Sequence, residues 1–152
     1  MPQIQTILFL DFDGVLHPAG VHRGGADLAR LPLLEAFLRE PAHQGVQIVI
    51  SSTWREAHPF ERLRAMFTDD LRPRIIGVTP VLDEYDTDYP RHEEIKAWLD
   101  RHPDRTAWAA LDDDVQGFPG HRRKTVVFTD SSVGLTSGDL DALRSLLAIR
   151  RW

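Results

Sequence analysis

Three observations along the chain predict an α/β fold. Short apolar runs of strand length alternate with helix-period segments, the pattern of βαβ units. Three of those runs stop abruptly at polar residues, as strands do where an open parallel sheet carries its site. No internal repeat or low-complexity linker interrupts the order, so residues 1–152 read as one domain. Together they predict a Rossmann-like, three-layer α/β/α sandwich around a mostly parallel five-stranded sheet.

The first strand is Ile7-Leu8-Phe9-Leu10, stopped by Asp11. A Gly/Pro/His-rich stretch from Gly14 to about Gly25 reads as loop or tight hairpin. Leu34, Phe37 and Leu38 then fall at helical spacing within Leu31 to Leu38, and Pro32 suits a first turn. Val46 to Ile50 is the second strand, stopped by Ser51. Phe60, Leu63, Met66 and Phe67 predict a second amphipathic helix with Pro59 near its start. Arg74 to Val78 is a third strand, and Thr79 to Pro90 is polar and turn-like. A helix from about Arg91 to Arg101 buries Ile95, Trp98 and Leu99. Ala107 to Leu111 is the fourth strand, closed by Asp112-Asp113-Asp114, and Thr125 to Phe128 is the fifth. The last helix, about Ser137 to Ile149, puts Leu140, Leu143, Leu146 and Leu147 on one face, with Thr136 or Ser137 as its cap.

Composition narrows the function classes. Apolar residues are 42% and charged residues 27%, ordinary for a soluble globular chain. No apolar run approaches the roughly 18 residues of a membrane helix, and the N-terminus lacks signal-peptide character. There are no cysteines, which excludes disulfides, thiolate catalysis and cysteine-bound zinc and fits a cytoplasmic setting. The net charge of −5 argues against broad non-specific nucleic-acid binding, leaving Arg122-Arg123-Lys124 as a local basic strip or a solvated strand entry.

The chemistry concentrates at the three interrupted strand ends: Asp11 and Asp13; Ser51, Ser52 and Thr53; and Asp112, Asp113 and Asp114. On adjacent strands these form an acidic cup floored by hydroxyls. Clustered carboxylates repel unless a cation neutralises them. A hard ion held by a few carboxylates and a substrate phosphate points to magnesium. The bland reading of each group is a solvated, turn-forming strand end.

The segment from Leu8 to Leu16, with Asp11-Phe12-Asp13-Gly14 after an apolar strand, resembles the first motif of the haloacid dehalogenase (HAD) superfamily. A serine after strand two, a basic residue before strand four and paired acids after it follow in that superfamily's order, over nearly the whole chain. The phrases Asp11 to Pro18, Ser51-Ser52-Thr53-Trp54-Arg55 and Gly134-Leu135-Thr136 resemble a bacterial subgroup that includes domains associated with RNA-repair proteins.

The resemblance implies an aspartyl-phosphate phosphohydrolase. Asp11 is then the nucleophile and Asp13 the general acid and base, with Gly14 allowing a sharp turn. Ser51 donates to a phosphate oxygen, with Ser52 its competitor if the strand end shifts by one residue. Arg91 is the third-motif cation, where the superfamily more often has Lys, and Lys96 is the alternative. Magnesium is held by Asp11, the backbone carbonyl of Asp13, Asp112 and Asp113, with the register among Asp112, Asp113 and Asp114 left open.

His17, His22 and Arg23 are weaker candidates for gripping substrate or are simply exposed. Trp54 is a stacking face or core, Arg55 a second phosphate cation, and Trp98 and Trp108 core. The gaps after Leu16 and around Pro80 to Pro90 are too short for a folded cap, so no large cap is expected and at most a flap covers the site. An open site favours a phosphorylated substrate that is large, such as a nucleic-acid end or a phosphoprotein, or else broad, weak specificity. The competing readings are a phosphotransferase and a non-catalytic or regulatory module that binds magnesium or phosphate. No membrane partner is expected, and the oligomeric state is left open.

Overall fold

The period-two alternation of a strand sends neighbouring side chains to opposite faces, and here both faces are apolar. In β1 (Thr6–Leu10), Leu8 and Leu10 enter one core while Ile7 and Phe9 enter another. β2 (Val46–Ile50) and β4 (Trp108–Asp112) repeat the division, with Ile48, Ile50, Ala109 and Leu111 on the first side and Val49, Trp108 and Ala110 on the second. A sheet apolar on both faces must be covered twice, which produces three layers.

The computed structural model describes residues 5–20, 28–82 and 87–149. β3 (Ile75–Val78) and β5 (Val126–Phe128) complete a sheet of order β3-β2-β1-β4-β5, in which every pairing is parallel. The helices α1 (Leu31–Leu38), α3 (Phe60–Arg64) and α5 (Ser137–Ile149) contribute Leu34, Phe37, Leu63, Leu140 and Leu143 to the first core. On the other face α4 (Pro90–Asp100) contributes Ile95 and Trp98. Trp98 and Trp108 both meet the Phe9 ring edge-on, at centroid distances of 5.6 and 5.8 Å, so both are core residues as expected.

Several boundaries differ from the sequence expectation. A short helix, α2 (Trp54–Ala57), precedes α3 and was not anticipated. The helix expected through Phe67 stops at Arg64 because side chains take over the backbone groups. Glu35 accepts hydrogen bonds from the Thr68 backbone N–H (2.8 Å) and hydroxyl (3.0 Å), and Arg72 Nε donates to the Phe67 carbonyl at 2.8 Å. Leu63 and Phe67 remain buried despite the break. Arg74 is not in β3: it ends a 3-10 turn, and its guanidinium donates to the carbonyls of Val46 and Leu38. β4 and β5 each begin one residue later than expected, and α4 begins at Pro90 rather than Arg91. Thr136 is the cap of α5. Its Oγ1 accepts from the Asp139 N–H at 3.2 Å, while Asp139 Oδ2 accepts from the Thr136 N–H at 2.9 Å, a reciprocal capping box. No helix among the described residues is long and apolar enough to cross a membrane.

Candidate active site

The parallel ladder continues one residue past the strands and so fixes the site's geometry. The Asp11 N–H donates to the Leu111 carbonyl at 3.0 Å and the Ser51 N–H to the Leu10 carbonyl at 2.8 Å. Asp11 therefore stands between Ser51 and Asp112, at the carboxyl edge of three adjacent strands. β1 lies where the chain reverses its direction across the sheet: β2 and β3 are added on one side, β4 and β5 on the other. Such a switch point opens a crevice at the carboxyl edge.

The turn after β1 is held by buried apolar anchors and backbone bonds. Phe12, Val15 and Leu16 are fully buried, and the Val15 and Leu16 N–H groups both donate to the Phe12 carbonyl. Gly14 sits at φ +77°, and a Cβ there would lie 2.2 Å from Asp113 Oδ2. Only glycine allows both the left-handed turn and the close approach of that carboxylate. The Thr129 hydroxyl, buried at the end of β5, donates to the Gly14 carbonyl at 2.7 Å. From Gly14 to Gly20 the segment expected as a flap is tied down, by Gly14 N–H to the His17 carbonyl, Leu135 N–H to the Val15 carbonyl and Ala19 N–H to the Ser131 carbonyl. His22 and Arg23 lie outside the described residues.

Carboxylate oxygens of Asp11, Asp112 and Asp113 come within 4.8 Å of one another. Asp11 and Asp112 are buried, 4% and 1% exposed. Burial, then repulsion from Asp112, pushes the Asp11 carboxyl well above its usual range, against the pull of Arg91. Asp112 is raised to about 6, chiefly by burial, with Arg91 opposing and Asp113 and Asp114 adding repulsion. The Phe12 N–H donates to Asp11 Oδ1 at 2.8 Å and orients that carboxyl. Asp114 stands apart, because its side chain turns back to accept from the Gly117 N–H and caps a 3-10 turn.

Arg91 reaches the cluster from the first turn of α4. Its Nη1 donates to the Ser51 carbonyl at 2.7 Å and lies 3.4 Å from Ser51 Oγ, and its Nε lies 3.3 Å from Asp112 Oδ2. Burial opposes its charge, but Asp112, Asp11 and Glu94 outweigh that and raise its pKa. Lys96 is half-exposed and pairs with Glu93 at 3.7 Å, away from the cluster. Ser51 is thus beside Arg91, whereas Ser52 Oγ accepts from the Trp54 N–H at 3.2 Å at the start of α2.

Arg55 corrects the expectation of a second phosphate cation. Its side chain is buried and ion-paired with Glu94, and it also donates to the Ser52 carbonyl (2.7 Å) and the Thr79 carbonyl (2.9 Å). With its donors spent on protein acceptors, it fastens the loops after β2 and β3 to α4. His17 is neither exposed nor free to grip a ligand: it is buried, with Nε2 2.8 Å from Asp13 Oδ1. Trp54 is partly buried, meets Phe12 edge-on at 5.2 Å, and donates from Nε1 to Asp13 Oδ1 at 3.0 Å. The strip Arg122-Arg123-Lys124 lies in a 3-10 turn leading to β5, with Arg123 Nε bonded to the Phe118 carbonyl.

Glu94 and Thr129 escaped the sequence reading. Glu94 carries a usable signal, lying one turn after Arg91 on the same face of a helix. Thr129 carries none beyond a hydroxyl after an apolar strand.

The donor set is all hard oxygen, clustered, largely buried and mutually repelling, and it packs so close to Gly14 that a Cβ there would collide with Asp113 Oδ2. That is the chemistry of a divalent-cation site. No curated protein and no solved structure matches the chain. A family model does match, over residues 7–140, which reaches all five strands and each group of the acidic cluster. The chain belongs to the HAD superfamily, in the family described as the HAD domain in Swiss Army Knife RNA repair proteins.

Proposed function

We propose that the chain is a magnesium-dependent phosphomonoesterase that works through an aspartyl-phosphate on Asp11. The observation that carries this reading is the largely buried cluster of Asp11, Asp112 and Asp113 at the switch point, with Arg91 against it and Asp13 two residues along the turn. Asp11, Asp112, Asp113 and the Asp13 carbonyl would hold the ion. When bound, it neutralises the carboxylates and draws a phosphate dianion toward them.

Asp11 attacks phosphorus, forming an O–P bond as the ester P–O bond breaks. The departing electron pair stays on the ester oxygen, which takes a proton from Asp13. Asp13, now a carboxylate, removes a proton from the water that attacks the phosphoaspartate. Inorganic phosphate leaves and Asp11 is regenerated. Ser51 Oγ and Arg91 bind phosphate oxygens and oppose the charge that develops on them. The short segments after Leu16 and around Pro80 to Pro90 favour a large substrate, and the family membership favours a nucleic-acid phosphate end. The lack of cysteine accords with a cytoplasmic setting.

The test is phosphate release from p-nitrophenyl phosphate and from 5′- and 3′-phosphorylated oligonucleotides, with magnesium or with EDTA. Turnover is expected to require magnesium and to fall about 10³-fold or more in Asp11→Asn. An Asp11→Asn variant as active as the wild type would overturn the reading.

A further inference from the structure

The carboxyl of Asp13 is held by two side chains that the family order of motifs does not include. Trp54 Nε1 donates to Asp13 Oδ1 at 3.0 Å, and His17 Nε2 lies 2.8 Å from that same oxygen. The two arrive from different elements: His17 from four residues on in the turn after β1, Trp54 from the first residue of α2 beyond β2.

Each is itself fixed. His17 Nδ1 faces the Pro18 carbonyl at 2.8 Å, so it carries a hydrogen and donates, and the ring presents Nε2 to Asp13. The His17 side chain is only 2% exposed, and its backbone carbonyl accepts from Gly14 N–H at 2.9 Å. The Trp54 ring packs edge-on against Phe12 and lies 5.8 Å from the His17 ring.

The Trp54 N–H that donates to this oxygen and the His17 Nε2 that stands 2.8 Å from it together restrict rotation of the carboxyl about both side-chain torsions. Yet the Asp13 side chain keeps 34% exposure. Polar contacts to so exposed a carboxylate add little to stability. A proton donor, by contrast, gains much from fixed alignment with the oxygen it protonates. Anchoring two side chains against it, one buried and one partly buried, is therefore poorly explained by folding alone.

We infer that His17 and Trp54 are positioning residues that hold Asp13 at one oxygen as general acid, suiting the enzyme to phosphomonoesters whose leaving group is a poorly stabilised alkoxide. This rests on the aspartyl-phosphate reading of Asp11 and extends it to a substrate class. Leaving groups that depart readily as anions need little help from an acid. An alcohol-type oxygen needs it fully.

The test compares kcat/KM for p-nitrophenyl phosphate and phenyl phosphate, esters of similar shape whose leaving groups differ in basicity. Trp54→Phe keeps an aromatic ring beside Phe12 and removes the N–H donor together with part of the indole. It is expected to lose about 3-fold or less on p-nitrophenyl phosphate and about 10-fold or more on phenyl phosphate. His17→Leu should show the same skew, and His17→Gln, which returns a polar group near the position of Nε2, should restore most of the phenyl phosphate rate. Thermal unfolding of each variant reports folding separately. Should His17→Leu fail to fold, Trp54→Phe decides the matter alone. Equal losses on both esters, with Asp11→Asn inactive on both, would overturn the positioning role while leaving the nucleophile in place. Wild-type turnover that does not depend on Asp11 would remove both.

Discussion

Removing a charge from the acidic cluster should stabilise the metal-free protein, and Asp112→Asn is the cleanest way to do so. Asp112 is 1% exposed, and burial, reinforced by Asp113 and Asp114 and only partly offset by Arg91, raises its pKa from 3.8 to about 6. At roughly 1.4 kcal/mol per pH unit, that displacement amounts to on the order of 3 kcal/mol. Its sign follows from linkage. Between pH 3.8 and about 6 the folded state binds the extra proton, so stability falls as the pH rises across that window. Below it the protonated carboxyl is fully accommodated; above it the folded protein carries the whole cost of an ionised, buried Asp112.

Asparagine resembles the protonated form. It keeps an oxygen for the Asp114 N–H, bonded at 3.0 Å, and Arg91 retains the Ser51 carbonyl and Glu94. In EDTA at pH 7.5 the variant is expected to gain about 1–3 kcal/mol, or ~3–9 °C in Tm for a chain of this size. Magnesium reverses the order. At 100 times its Kd a ligand adds about 2.7 kcal/mol to the protein that binds it, and the variant lacks one carboxylate of the cluster. Thermal unfolding followed by circular dichroism, with EDTA or magnesium and at pH 4 and 7.5, reads all of this. The reasoning is refuted if Asp112→Asn melts below the wild type in EDTA at pH 7.5, or if magnesium raises both Tm values equally.

Two other substitutions probe the frame of the site. Gly14→Ala forces a Cβ to within 2.2 Å of Asp113 Oδ2 at φ +77°, and should cost about 1–3 kcal/mol while weakening magnesium binding in a titration followed by Tm. Arg55→Met leaves Glu94 buried without its main partner and should cost about 3 kcal/mol or more in urea unfolding, whereas adding Glu94→Leu should recover much of that loss.

The five strands were legible because each is a short apolar run closed by a polar or turn residue, and all five lie within one residue of their expected places. Helices were less so. The periodicity of Leu63 and Phe67 correctly marked burial but not the end of α3, which depends on the distant Glu35 and on Arg72 five residues beyond Phe67. Arg55 misled for the same reason. Nothing near it in the chain announces Glu94, 39 residues on, as the partner that occupies its charge.

By itself the sequence determined the layered α/β arrangement and the order of its motifs, because burial period and strand-end chemistry are local properties of the chain. The gathering of Asp11, Asp112 and Asp113 depended on the parallel register that sets β1 beside β4, about a hundred residues apart in the chain. The exclusion of Asp114, the engagement of Arg91 and the commitment of His17 and Trp54 to Asp13 were decided by tertiary structure alone. A side chain's identity states which bonds it can make. Only packing decides which partner comes within 3 Å and which stays in water.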